Sequence, residues 1–146
     1  MTFHDYLAKT RIIATEEKDV LDILRSLPLD KITTRAAKNS LQVMIENSIG
    51  KAKKILQFYH CTIIPNESRD ALRILADCEA IDDETAHALH NAIGFRNAMI
   101  HDYMSFNNAI LVEILESKKY HTIYTFLMDE CRYSDLIRKR IENYSF

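Results

Sequence analysis

The chain has 146 residues, which is enough for one domain (1–146) that buries a core without disulfides or metal ions. It contains two glycines, two prolines and no tryptophan, and 47% of its residues are hydrophobic, a composition that favours an all-helical protein over a sheet. The formal net charge of -2 excludes a basic field over the whole molecule, so a nucleic-acid partner would have to be bound at a local patch.

The cysteines and the N-terminus bear on the compartment. Cys61, Cys78 and Cys131 are odd in number and show no CxxC spacing, so reduced thiols are expected rather than paired disulfides. The N-terminal MTFHDYLAKTR is too polar for a signal peptide, and no apolar run approaches the roughly 18 residues of a membrane span. We expect a soluble, cytoplasmic protein with no membrane partner.

Two helices are predicted in the first part of the chain. The first covers residues 4–26 and ends before Pro28, because proline disfavours the helical conformation at the residue before it. The second begins with Thr33 or Thr34 as its N-cap and reaches about His60. Its apolar residues recur at steps of three and four and form one continuous stripe: Leu41, Ile45, Ile49, Ala52, Leu56 and Tyr59.

The second helix also contains Gly50, which lies on roughly the opposite face from the stripe. Since a glycine inside a helix costs about 1 kcal/mol relative to alanine, we expect Gly50 to permit the close approach of another helix. Pro65 marks the next loop, after which Asn66 or Ser68 is the expected N-cap of a third helix. The apolar residues of that helix are Ala71, Leu72, Leu75 and Ala76.

Further helices are predicted in the second half. Asp82 is the expected N-cap of a fourth helix that runs toward Ile93, where Gly94 interrupts the pattern. Ser105 or Asn107 then begins one long last helix. The apolar positions of that helix are Ile110, Leu111, Ile114, Leu115, Ile123, Phe126 and Leu127.

A short basic C-terminal extension, residues 132–146, follows the last long helix. Ser134 is a candidate N-cap there, and Arg138, Lys139 and Arg140 supply the positive charge. The whole pattern predicts an all-α fold, an up-and-down helical bundle with an added C-terminal helix.

The stretch GFRNAMIHDY, residues 94–103, departs from the apolar pattern of the rest. On an ideal helix, Arg96 and Tyr103 fall on one face, while Asn97 and His101 lie side by side on an adjoining face. Arg96 and His101 are then about 140° apart, so they cannot meet along one straight helix. Either Gly94 bends the helix at its entry, or a second chain supplies the missing partner.

These residue types together suit phosphodiester chemistry. The guanidinium of Arg96 matches phosphate oxygens, and His101 can exchange a proton near neutral pH. Asn97 can orient the imidazole or donate to a bound oxygen. RNA cleavage needs a base for the 2′-hydroxyl, an acid for the departing 5′-oxygen and positive charge at phosphorus. Two copies of Arg96 and His101 facing each other would supply all of these without a metal ion.

The segment Arg96-Asn97-Ala98-Met99-Ile100-His101-Asp102-Tyr103 resembles the R-x4-H-x-Y motif of HepT-type toxins of the HEPN superfamily. The similarity covers roughly residues 36–130. It includes further features outside the motif: Glu46, Pro65, Ser68-Arg69-Asp70, Leu75-Ala76 and Gly94-Phe95.

The resemblance implies a HEPN-like helical bundle that forms a two-fold homodimer and acts as a metal-independent ribonuclease. It implies that Arg96, Asn97 and His101 form the catalytic site, with both chains contributing to one cleft. It also implies a minimal nucleotidyltransferase antitoxin of the MntA type, which adenylylates Tyr103. An AMP ester on Tyr103 would add bulk and negative charge where a substrate phosphate should sit. RNA is then the expected substrate, and neither DNA nor a cofactor is expected.

Two other interpretations stay open. The chain could be a non-catalytic helical partner, or adaptor, of a nucleotidyltransferase, in which Tyr103 is an acceptor or a contact. It could also be a plain structural dimer, although the polar residues of the motif argue against a purely packed interface. No Gly-rich phosphate loop is present, so ATP binding by this chain is not expected.

Histidines and lysines outside the motif offer weaker candidates. His87, His90 and His101 invite a zinc site, but no cysteine or carboxylate completes it beyond loosely placed Asp83 or Glu84, so solvated or capping histidines are the preferred interpretation. Two groups of lysines could guide a phosphate backbone or form ordinary solvated faces: Lys51, Lys53 and Lys54, and Lys118 and Lys119.

Overall fold

The structure is a computed structural model, and it describes residues 1–101 and 106–146. Within these residues the chain forms seven α-helices: α1 (Phe3–Leu24), α2 (Lys31–Phe58), α3 (Ser68–Asp77), α4 (Asp83–His101), α5 (Asn108–Glu116), α6 (Tyr120–Met128) and α7 (Asp135–Glu142). The expected all-α bundle is therefore confirmed.

Helix α2 is the centre of the bundle. It packs against α1, α3, α4 and α6, while α1 also packs along α6 and α4 packs on α3 and α6. The predicted stripe of α2 faces inward as expected. Tyr59 is half-buried, and the other five members of the stripe are buried: Leu41, Ile45, Ile49, Ala52 and Leu56. The other helices contribute the rest of one continuous core, which includes Leu21, Leu75, Leu89, Leu111 and Leu127.

Side-chain caps define the starts of most helices. The N-cap residues of α2 and α3 differ from those expected from the sequence. Asp30, not Thr33 or Thr34, caps α2, because its carboxylate accepts from the backbone N–H of Ile32 and of Thr33 at 2.9 Å. Thr33 instead completes a capping box: the backbone N–H of Asp30 donates to its hydroxyl.

At the other helices, one N-cap differs from the expectation and three agree with it. Glu67 occupies the N-cap position of α3 without a side-chain hydrogen bond, so neither Asn66 nor Ser68 caps that helix. Caps are confirmed at Asp82, which accepts from Thr85, and at the starts of α5 and α7, where Asn107 and Ser134 accept from backbone N–H groups.

Gly50 lies close to a side chain of α1. A Cβ built on Gly50 would lie 3.0 Å from the hydroxyl oxygen of Tyr6 on α1. The absence of a side chain at Gly50 therefore leaves room for the Tyr6 hydroxyl beside α2.

Gly94 does not interrupt the fourth helix. Helix α4 continues through Gly94 to His101, and Gly94 has no positive φ angle. A helix interior tolerates one glycine for about 1 kcal/mol, which the burial of Leu89, Ile93 and Phe95 on the same helix outweighs. The sequence-based prediction that the fourth helix is interrupted at Gly94 is therefore wrong.

The expected single long last helix is two helices. Lys118 has a φ of 50°, in the left-handed region, which ends α5 and lets α6 begin at Tyr120. Two carbonyls at the end of α5 accept hydrogen bonds from Arg25, the residue that follows α1: its guanidinium donates to Leu115 O at 2.7 Å and to Glu116 O at 2.9 Å. A cation at a helix C-terminus also interacts favourably with the helix dipole.

A buried lysine donates hydrogen bonds to the carbonyls at the end of α6, as Arg25 does at the end of α5. Lys51 of α2 is fully buried, and its ammonium donates to the carbonyls of Phe126 at 2.5 Å, Leu127 at 3.3 Å and Asp129 at 2.7 Å. These bonds compensate for the desolvation of the charge and attach α6 to the central helix.

The C-terminal extension is packed onto the bundle. Ile141 of α7 is fully buried, and the hydroxyl of Tyr144 donates to the carboxylate of Asp77 at the end of α3. No helix in the described part of the chain is long and apolar enough to cross a membrane.

Replacing Lys51 by methionine tests its role in the fold. Because the apolar stem is retained but the carbonyls lose their donor, we expect Lys51→Met to lower the free energy of unfolding by about 1–3 kcal/mol at pH 7. The half-exposed Lys53 provides a control on the same helix, and Lys53→Met should change stability by less than about 0.5 kcal/mol. Chemical denaturation measures both, and equal small effects would contradict the assignment.

The same pair of variants has a signature in pH. Burial lowers the pKa of Lys51 below its ordinary value of 10.5. Between the folded-state pKa and 10.5 the unfolded chain binds the extra proton, so this lysine makes wild-type stability rise with pH in that window. The stability of wild type minus that of Lys51→Met should therefore increase as pH rises toward 10.5. If the difference in stability between wild type and Lys51→Met stays constant or falls as pH rises, the burial of the Lys51 ammonium is contradicted.

Candidate functional site

The motif predicted from sequence occupies the C-terminal part of α4. Arg96 and Asn97 are half-buried there and His101 is exposed. Asp102 and Tyr103 lie outside the described residues.

Two neighbours hold the Arg96 side chain. Its Nη1 lies 3.2 Å from Oε1 of Glu46 on α2, and its Nε and Nη2 donate to Oδ1 of Asn97 at 3.3 and 3.1 Å. The side chain of Arg96 is only 19% exposed. Glu46, one of the features of the family resemblance outside the motif, therefore contacts the motif from α2.

This arrangement leaves part of the guanidinium available. Arginine carries five N–H donors, and the bonds to Glu46 and Asn97 use the Nε donor and one donor on each terminal nitrogen. Within the described residues, one N–H on Nη1 and one on Nη2 have no acceptor, and a guanidinium with two such donors suits the oxygens of a phosphate. Arg96 is therefore oriented in advance for an anionic ligand.

His101 lies apart from this cluster. Because α4 is continuous from Asp83 to His101, Arg96 and His101 keep the angular separation of about 140° that a regular helix gives them. The hydrogen bonds of Arg96 within the described residues go to Glu46 and Asn97 and not to His101. One copy of the described chain does not bring the cation and the imidazole together.

A second arginine borders the same helix. A Cβ built on Gly94 would be 3.7 Å from Nη2 of Arg69, so the guanidinium from the first turn of α3 lies over the glycine of α4. On the helical wheel Gly94 and His101 are seven residues apart and share a face. That face of α4 thus has Arg69 beside Gly94 and His101 about two turns further on, at the C-terminal end of the helix.

The histidines N-terminal to the motif have an ordinary environment. His87 and His90 are exposed on α4, and the His87 ring nitrogen Nε2 lies 3.2 Å from the side-chain nitrogen of Asn91. In residues 1–101 and 106–146, no three side chains of His, Cys, Asp or Glu are grouped so that they could hold a metal ion.

The two lysine clusters proposed from sequence do not form a common basic surface. Lys51 is buried in the bundle and is unavailable to a phosphate backbone, which corrects that candidate. Lys54 is exposed beside the Tyr6 ring, and Lys119 forms an ion pair with Glu113 at 2.8 Å. Lys53 is half-exposed, and Lys118 is exposed in the turn between α5 and α6.

A basic region that the sequence analysis did not single out lies at the start of α2. A hollow of about 520 Å³ is lined there by seven residues: Leu29, Asp30, Lys31, Thr34, Arg35, Lys38 and Asn108. Its three cations, Lys31, Arg35 and Lys38, are four and then three residues apart. That spacing places them on one helix face, so the basic region could have been predicted from the sequence.

Comparison with known proteins gives two matches. The family model described as "Ribonuclease HepT-like" matches residues 4–129, which includes α1 as well as the segment whose resemblance is visible in the motifs. No curated protein sequence matches the chain significantly.

The second match is to a solved structure described as "Crystal structure of the toxin-antitoxin with AMP-PNP". One of its chains superposes with a TM-score of 0.76 and 20% sequence identity, over 94% of this chain and 99% of that one. At this identity the likeness shows a shared fold, and it extends over nearly the whole of both chains.

Proposed function

Because the chain belongs to the HepT-like ribonuclease family, we propose that it is the toxin of a toxin–antitoxin pair and cleaves RNA without a metal ion. We propose further that it acts as a single-domain, cytoplasmic homodimer. The observation that supports the activity most directly is the environment of Arg96, which Glu46 and Asn97 hold while two of its N–H donors have no acceptor among residues 1–101 and 106–146.

The proposed site is composite. Arg96 and His101 point in different directions from the continuous helix α4, so the site needs α4 of a second copy to set the imidazole of one chain against the guanidinium of the other. In this arrangement His101 of one copy accepts the proton of the 2′-hydroxyl, and the 2′-oxygen attacks phosphorus. His101 of the other copy gives a proton to the departing 5′-oxygen. The products are a 2′,3′-cyclic phosphate end and a 5′-hydroxyl end, so atoms and protons balance.

The other two motif residues have supporting roles. The guanidinium of Arg96 binds the phosphate oxygens and stabilises the negative charge that develops on them. Asn97 accepts two bonds from Arg96 and so fixes the direction of the available N–H donors.

We also propose how the toxin is silenced. A partner nucleotidyltransferase of the MntA type transfers AMP from ATP to the Tyr103 hydroxyl and releases pyrophosphate. The phosphodiester formed on Tyr103 lies two residues from His101 in sequence, where its bulk and charge exclude an RNA phosphate. The second candidate function, a non-catalytic adaptor of the transferase, keeps Tyr103 as the acceptor but predicts no RNA cleavage.

Removing His101 tests the catalytic assignment. We expect His101→Ala to lower RNA cleavage by about 10²–10⁴-fold, because a proton-transfer group is removed. Folding should be unaffected, since His101 is exposed. Cleavage is measured on unmodified protein in the presence of a chelator, with circular dichroism as the check on folding.

His121, an exposed histidine of α6, provides the matched control, and His121→Ala should cleave RNA at the wild-type rate. An active His101→Ala protein would refute the ribonuclease site. A wild-type protein that never cleaves RNA would favour the adaptor.

Intact-mass spectrometry tests the modification. Chain co-expressed with its nucleotidyltransferase partner should gain the mass of one or more AMP units, which peptide mapping should locate on Tyr103. Tyr103→Phe lacks the acceptor oxygen, so it should stay unmodified and should escape neutralisation by the partner. AMP that still attaches to Tyr103→Phe would contradict the assignment.

A further inference from the structure

The hollow at the start of α2 holds an excess of positive charge. Lys31 and Arg35 are exposed and Lys38 is half-buried, and in the described part of the chain none of them forms an ion pair with a carboxylate. The one acidic residue in the lining is Asp30, whose carboxylate accepts the N-terminal N–H groups of α2. Three cations therefore face one carboxylate in a molecule whose net charge is -2.

The hollow also has a shape and polarity suited to a phosphate chain. Lys31, Arg35 and Lys38 follow each other along one face of α2, so their charges are spaced roughly 5–6 Å apart along the helix. Thr34 and Asn108 add hydroxyl and amide groups to the lining. The hollow is open to solvent, and its volume of about 520 Å³ would admit more than one phosphate group.

Its position relates it to the motif. The Lys38 ammonium lies 4.6 Å from the centre of the Phe106 ring, and that ring packs edge-on against Phe95, which precedes Arg96. Along α2, Lys38 is eight residues before Glu46, the partner of Arg96, a separation of about 12 Å. A strand of RNA that has one phosphate at Arg96 therefore needs to extend only a few nucleotides to reach the hollow.

We propose that this hollow binds the phosphodiester backbone of RNA next to the bond that is cleaved. Lys31, Arg35 and Lys38 form a subsite that holds the strand while Arg96 and His101 act on it. The proposal rests on the proposed ribonuclease function and gives that function the local basic surface that a chain of net negative charge requires.

Neutralising the two exposed cations tests the subsite. Binding is measured in the non-cleaving His101→Ala protein with a fluorescently labelled single-stranded RNA of mixed sequence, over a range of salt concentrations. Each RNA phosphate that the protein no longer neutralises should reduce the slope of log K against log salt by about 0.7. Lys31→Gln/Arg35→Gln should therefore reduce the slope by about 1.4 and weaken binding roughly tenfold at about 0.1 M salt. In the cleaving protein the same change should raise KM rather than lower kcat.

A matched control removes the same charge elsewhere. Lys9 of α1 and Lys139 of α7 are exposed, and Lys9→Gln/Lys139→Gln should leave the slope unchanged, which separates direct phosphate binding from net charge. Equal slopes for the test and control variants, in a protein that still binds and cleaves RNA, would overturn the subsite and leave the ribonuclease assignment standing. If the His101→Ala protein binds no RNA and wild type cleaves none, both proposals fall. Loss of the transferase partner with an unchanged RNA slope would assign the hollow to protein binding instead and overturn the proposal.

Discussion

The continuity of α4 is the constraint from which the proposed chemistry of this molecule follows. The helix continues through Gly94 from Asp83 to His101, and residues buried in the core lie on both sides of that glycine. A continuous helix sets Arg96 and His101 about 140° apart. The two groups proposed for phosphodiester chemistry are therefore separated within one chain, and the proposal of a composite dimer rests on that separation.

Cations in this chain serve two distinct purposes. Arg25 and Lys51 are used by the fold, since they bond the carbonyl ends of α5 and α6 to α1 and α2. Arg96 is intermediate, because Glu46 and Asn97 take up some of its donors and thereby direct the others. The cations at the start of α2 have no such structural use within the described residues. A net charge of -2 thus conceals an uneven distribution, since the described residues include three cations at the start of α2 that form no ion pair.

The sequence predicted those features that depend on periodicity or on a local cap. The stripe of α2 and the caps at Asp82, Asn107 and Ser134 follow from spacing and residue type alone. The sequence did not predict features decided by tertiary contacts. In the sequence Lys51 resembles a member of a solvated lysine cluster, because its hydrogen-bond partners at the end of α6 are distant along the chain. The break between α5 and α6 depends on the left-handed backbone of Lys118, a conformation that usually requires glycine and is therefore not visible in the sequence. The motif residues were predicted, whereas the hollow was missed although its spacing is visible.

The most direct test of the composite site uses a heterodimer purified with two different tags. It pairs wild type with a His101→Ala chain, and the wild-type and His101→Ala homodimers are measured beside it. A composite site needs His101 of both copies, one as the base and one as the acid, so the heterodimer should cleave RNA about 10²–10⁴-fold more slowly than wild type, like the His101→Ala homodimer. A heterodimer whose intact chain cleaves RNA at the wild-type rate would show that a single chain assembles the site, and would contradict the composite site.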